Sequence, residues 1–192
     1  MLVLPIRKVR SILKSSGFEN EVGRCIELAE KASRAGNYAL GALVVLNGEI
    51  LAESGSSLIG DNDDPSAHPE MIVVRHAARR MKSRYLEGAY LVSTLEPCPM
   101  CTSVAIWAKM SGVVFGATQM DAIQWAAEHP DDVFTWRQIE IPVRRVVTMG
   151  TPRLEVYEEV RRKECKALFS LNENSAVDAE SSGCSVAGGG QG

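Results

Sequence analysis

His68 and Cys98 stand 30 residues apart, and each is followed at once by a proline. The first segment reads Pro65-Ser66-Ala67-His68-Pro69-Glu70 and the second Glu96-Pro97-Cys98-Pro99-Met100-Cys101. Proline suits the first turn of a helix, where its missing N–H costs nothing, so both segments are expected to open helices. One imidazole and two thiolates are ligand types that zinc prefers, and three protein ligands leave the fourth tetrahedral position for water, as in catalytic sites. For His68, Cys98 and Cys101 to share one ion, the two helix starts must face each other. Adjacent crossovers of an α/β sheet allow this, with the ligand crevice at the strand ends. A helix start also lowers the thiol pKa values. Glu70 is placed to take a proton from water and return it to a substrate, rather than to bind the ion.

The remaining pattern supplies such a sheet. Asn20 to about Gly36 has helical apolar spacing with a glycine stop. Ala42–Leu46 and Ile50–Ala52 flank Asn47-Gly48, the signature of a type I′ hairpin. Ser54–Pro65 is loop-like, His68 to about Arg84 helical, and Tyr90–Ser93 a short strand. A helix over Met100–Met110, a strand at Val113–Phe115 and a helix over Asp121–Ala127 follow. Arg145–Met149 reads as a strand and Leu154 to about Phe169 as a closing helix. The order predicts an α/β chain: a three-layer α/β/α arrangement around a mixed central sheet.

Charge and cysteine usage narrow the function. The 21 basic and 24 acidic residues leave a net charge of −3. Ser170–Gly192 has no Lys or Arg but holds Glu173, Asp178 and Glu180, so 21 acidic residues balance 21 basic ones in the rest. The divisions expected are an N-terminal extension over 1–18, a domain over 19–169, and a disordered acidic, Ser/Gly-rich tail over 170–192. A neutral body disfavours a large nucleic-acid surface, which needs clustered basic charge. No apolar run reaches the roughly 18 residues of a membrane span, and the start lacks the order of a secretory signal, so a cytoplasmic location is expected. Five cysteines without such a signal argue against a disulfide framework, and Cys25 and Cys165 lie in amphipathic patterns as small hydrophobes. A redox dithiol at Cys98-x-x-Cys101 and a non-catalytic subunit with structural zinc are the competing readings. The first predicts a disulfide in place of metal, and the second fits poorly with the presence of Glu70.

His-x-Glu followed by Pro-Cys-x-x-Cys is the signature of zinc nucleobase deaminases. With Gly41-Ala42, Asp64-Pro65, Ser93-Thr94-Leu95 and Ala105-Ile106-Trp107-Ala108 around it, the chain resembles the cytidine/deoxycytidylate deaminase superfamily, nearest the branch of guanine deaminases and tRNA-adenosine deaminases. The resemblance covers about Glu21 to Phe115 and, more loosely, the chain to Phe169. It implies a cytidine deaminase-like fold, one Zn2+ per chain on His68, Cys98 and Cys101, and proton transfer by Glu70. The implied reaction replaces an exocyclic amine of a small guanine- or cytosine-type nucleobase or nucleoside with oxygen and releases ammonia; the alternative is adenosine in tRNA. It also implies a homodimer and a base pocket lined around Ala42 and Ala67. Pro69 stands where the family usually has Ala. Ser54-Gly55-Ser56-Ser57 occupies the place of a base-binding Asn, so Ser56 or Ser57 is the candidate substitute. Thr118–Trp136 is expected over the pocket mouth, with aromatic rings to stack on a base and Asp131 or Asp132 near the position of a second proton carrier.

Overall fold

The computed structural model describes residues 17–57, 64–132 and 134–171. Most of the expected 1–18 extension, the middle of the Ser54–Pro65 loop and nearly all of the 170–192 tail lie outside the described residues. The chain runs through α1 (Glu19–Arg34), the hairpin β1 (Gly41–Leu46) and β2 (Glu49–Gly55), α2 (Pro69–Met81), β3 (Tyr90–Leu95), α3 (Pro99–Trp107), β4 (Gly112–Ala117), α4 (Gln119–Glu128), α5 (Val143–Met149), β5 (Glu155–Tyr157) and α6 (Arg162–Ala167), closing on a 3-10 turn at Leu168–Ser170. Asn47 and Gly48 have φ of 51° and 81°, as a type I′ turn requires.

The five strands lie in the order β2-β1-β3-β4-β5. β1 is antiparallel to β2 and β3, while β3–β4 and β4–β5 are parallel, so the sheet is mixed as expected. The strands of the middle alternate between two cores. Ala42, Val44, Leu91 and Val113 pack with Val73 and Ala77 of α2, Ala105 of α3 and Val147 of α5. Leu43, Val45, Val92 and Val114 pack with Val22 and Cys25 of α1, Ala122 of α4 and Cys165 of α6. Helices therefore cover both faces, and the fold is α/β in three layers. β1 enters the sheet at the end where β3 leaves it. Residues before β1 and residues after β3 consequently share one rim with the starts of α2 and α3.

Two segments differ from the sequence expectation. Arg145–Met149 is not a strand but part of α5. Pro142 precedes it in extended geometry, Val143 and Val147 bury one helical stripe, and the Val143 N–H is taken by the Glu96 carboxylate at 2.8 Å. Tertiary packing overrides the β-propensity of the β-branched run. Leu154–Phe169 is not one helix: β5 adds to β4 in parallel, and left-handed residues Glu159 and Arg161 separate it from α6.

Candidate active site

His68 and Cys98 are the N-cap residues of α2 and α3, each with proline next in the helix. A residue before proline is restricted to extended backbone, and His68 (φ −61°, ψ 142°) and Cys98 (φ −60°, ψ 169°) both adopt it. The prolines thus set the local geometry of two of the three metal-type side chains. Cys101, one helical turn into α3, completes the group.

The Cys98 and Cys101 sulfurs are 3.5 Å apart and lie 3.8 and 3.6 Å from His68 Nδ1. Zinc bonds of about 2.3 Å to sulfur and 2.0–2.1 Å to nitrogen set tetrahedral edges of about 3.8 Å between sulfurs and about 3.6 Å between sulfur and nitrogen. The residues present fit the ion. Their acid–base chemistry points the same way. Cys98 is pulled down to about 4, mainly by its hydrogen bond with Cys101 against the opposing effect of burial, with His68 assisting. Cys101 is pushed strongly up by the same hydrogen bond, by burial and by nearby Glu70. One thiolate forms readily, and a second needs a cation between the two sulfurs.

Glu70 follows one residue after Pro69 and is 4% exposed. Its Oε1 accepts a 2.6 Å hydrogen bond from Ser93 Oγ on β3, and its Oε2 lies 3.7 Å from the Cys101 thiol. Burial raises its pKa, while His68 and the Ser93 hydroxyl oppose the rise. The result is a desolvated carboxylate directed at the metal-type cluster, where proton transfer needs one.

A cavity of about 680 Å³ opens on this group. His68, Glu70 and Cys98 meet Tyr38 and Leu40 from the approach to β1, Met100 of α3, and the segment Trp136-Arg137-Gln138-Ile139. Ala42, Ser56, Ala67 and Asp131 are not among its described lining residues. Ala42 is fully buried in the sheet core beside α2, and Ala67 is buried next to His68. The Ser56 hydroxyl is buried without a hydrogen-bond partner. Asp131 is exposed, and Asp132 accepts from Trp125 Nε1 at 3.3 Å. Of the expected aromatic segment, Trp136 reaches the cavity, packing edge-on to Tyr38 at 5.3 Å and against Phe169 at 4.6 Å. Trp125 instead stacks on His129 at 3.8 Å.

Sequence reasoning missed Ser93, Glu96 and residues 137–139 of the strap that Trp136 opens. A serine inside an otherwise apolar strand is a signal for Ser93. Glu96 sits in the cysteine motif but acts outward from it. Its two oxygens accept the backbone N–H groups of Gln119 and Val143, each at 2.8 Å, and so hold the starts of α4 and α5 on either side of the strap.

The model of the cytidine and deoxycytidylate deaminase zinc-binding region matches residues 19–117. A tRNA-specific adenosine deaminase of Aquifex aeolicus is 38% identical over 89 residues, 46% of this chain and 58% of the relative. The chain therefore spans little more than half of that relative's length. A guanine deaminase of Bacillus subtilis is 32% identical over 125 residues, 65% of this chain and 78% of the relative. The fold matches the solved guanine deaminase of Nitrosomonas europaea with a TM-score of 0.64 at 20% identity, covering 92% of this chain and 96% of that one.

Proposed function

The chain belongs to the cytidine and deoxycytidylate deaminase family, and on that premise we propose that it is a zinc-dependent hydrolytic deaminase of a guanine- or cytosine-type nucleobase or nucleoside. The carrying observation is the buried Glu70 carboxylate, held by Ser93 and directed at the His68, Cys98 and Cys101 cluster in the wall of the cavity. His68, Cys98 and Cys101 hold the ion, and zinc bound there supplies a Lewis acid that lowers the pKa of water toward neutrality. Glu70 takes the proton of the attacking water and delivers it to the departing amine. Water adds at the amine-bearing ring carbon, the C–N bond breaks, and oxygen replaces nitrogen as ammonia leaves. Burial of Glu70 suits both directions of transfer, because a desolvated carboxylate binds a proton more readily than one in water. The unit that does this is residues 19–169.

Pairing of some of the basic side chains supports a small substrate. Arg75 faces Asp64, Arg80 Glu49, and Arg161 Glu164, while Arg162 meets Asp121 and Glu159. The runner-up, conversion of adenosine to inosine in tRNA, is favoured by the relative named for that substrate. No described helix is long and apolar enough to cross a membrane, and a cytoplasmic homodimer belongs to the same proposal.

The test is ammonia release by zinc-loaded protein from guanine, cytosine and adenine, their nucleosides, and tRNA, with Glu70→Gln as control. Release from at least one substrate, reduced at least about a hundredfold in Glu70→Gln, is expected. Equal release by the variant would refute the assignment of Glu70, and no release from any member the assignment of activity.

A further inference from the structure

The cavity is graded by exposure: Glu70 and Trp136 are buried, His68 and Cys98 half-buried, and Arg137 and Ile139 exposed at the rim. Arg137 is the only lysine or arginine among the described lining residues. No described residue gives it a hydrogen bond or ion pair. Neither lining carboxylate is available to it, because Glu70 is engaged by Ser93 and Cys101, and Glu96 by two backbone N–H groups. The backbone from which Arg137 projects is held on both sides. Trp136 adopts φ of 47°, an unfavourable conformation for a bulky residue, and stays in it between Tyr38 and Phe169. Beyond it, Gln138 Nε2 donates to Trp136 O at 3.4 Å, and the Gln119 side-chain amide donates to Ile139 O. A guanidinium with no partner among the described residues is thus presented at the open end of a cavity whose reactive carboxylate lies at the closed end.

We propose that Arg137 recognises a phosphate group on the substrate, so that the base sits beside Glu70 and its phosphorylated sugar extends to the rim. This rests on the deaminase reading and deepens it. Guanidinium matches phosphate with two parallel charge-assisted hydrogen bonds. A cavity of about 680 Å³ lies in the middle of the roughly 300–1,000 Å³ range of small-molecule sites and leaves room beyond a single base. The phosphate belongs either to a mononucleotide or to an RNA backbone, and the arms of the test separate them.

Ammonia release is measured as kcat/KM for guanosine, cytidine and adenosine, for their 5′-monophosphates, and for a tRNA anticodon stem-loop, in the wild type, Arg137→Gln and Arg137→Lys. The wild type is expected to prefer the phosphate-bearing form over the matching nucleoside by about tenfold or more. Arg137→Gln should shrink that ratio by about tenfold, and Arg137→Lys should retain part of it as a point charge. Preference for a monophosphate assigns the mononucleotide, and preference for the stem-loop assigns RNA. An unchanged ratio in Arg137→Gln, or a wild type that prefers the nucleoside, overturns the proposal. Calorimetric binding of xanthosine, uridine and inosine against their 5′-monophosphates reads the same ratio without turnover. Absence of ammonia in every arm and from free guanine, cytosine and adenine would then count against the deaminase reading alone, and phosphate recognition would still be decided.

Discussion

Ser93, in the middle of β3, donates its hydroxyl to Glu70 Oε1 at 2.6 Å although 23 residues separate them. Ser93 pairs with Ala42 in the sheet and is fully buried, so the carboxylate is oriented by the rigid centre of the fold. On the proposed function, Ser93 acts as a positioning residue for Glu70. Ser93→Ala is expected to lower kcat about tenfold, the worth of one hydrogen bond to a charged group, while KM changes less than about threefold. Steady-state kinetics on the substrate found in the ammonia screen check the split. A rise in KM with kcat intact would assign Ser93 to binding instead.

Glu96 spans the backbone amides that open α4 and α5, and the strap lies between those helices. Glu96→Ala removes two charge-assisted hydrogen bonds and should cost about 1.5–3 kcal/mol of stability. Because residues 136–139 line the cavity, KM should rise as well. Thermal melting and kinetics on the same preparation test this, and a lowered melting point with unaltered KM would separate the strap from the site.

Asp121 is 4% exposed and caps α4 through the Thr118 backbone and hydroxyl while pairing with Arg162 and Lys166 of α6. Burial disfavours its charge, but Arg162, Thr118 and Lys166 together outweigh burial and hold it well below the usual carboxylate range. Since its folded pKa lies below the unfolded value of about 3.9, its stabilisation is complete above that value. It is lost as pH falls through the folded pKa. Asp121→Asn should cost about 1–3 kcal/mol near neutrality, and the gap from the wild type should narrow below about pH 4. Urea unfolding across that range measures the gap, and a gap independent of pH would contradict the account.

Three ligand atoms lie within 4.8 Å of one another, and a cation among them would let both sulfurs be deprotonated together. Zinc removal by a chelator should lower the melting temperature and abolish ammonia release, and zinc should restore both. Cys101→Ser should melt near the apo protein and respond little to the chelator. A protein with no zinc and a Cys98–Cys101 disulfide by mass spectrometry would instead support the redox reading.

Local rules made much of this fold legible. Asn47-Gly48 specified the hairpin through two positive φ angles. The apolar period placed α1, α2 and α4 within a few residues of their observed ends. The failures fall where local signals are short or shared. The Val146-Val147 pair suits a strand and a helix alike, and what decides for α5 is Pro142 together with the Glu96 carboxylate, 47 residues from the Val143 N–H it accepts. β5 has three residues, too few for alternation to register. Ala42, Ser56, Ala67 and Asp131, expected as substrate contacts, are not among the described residues lining the cavity, and that lining follows which rim of the sheet a residue reaches.

The sequence by itself determined the ligand types, the glutamate beside them and the helix starts on which they stand, because proline constrains its own φ and the backbone of the residue before it. The tertiary structure decided that His68 and Cys98 meet, that Ser93 turns Glu70 toward them, and that Arg137 lines the cavity with no partner among the described residues. The first two relations join residues 30 and 23 positions apart, and only the pairing of β1 with β3 and the packing of helices on both faces of the sheet bring such distant groups into contact.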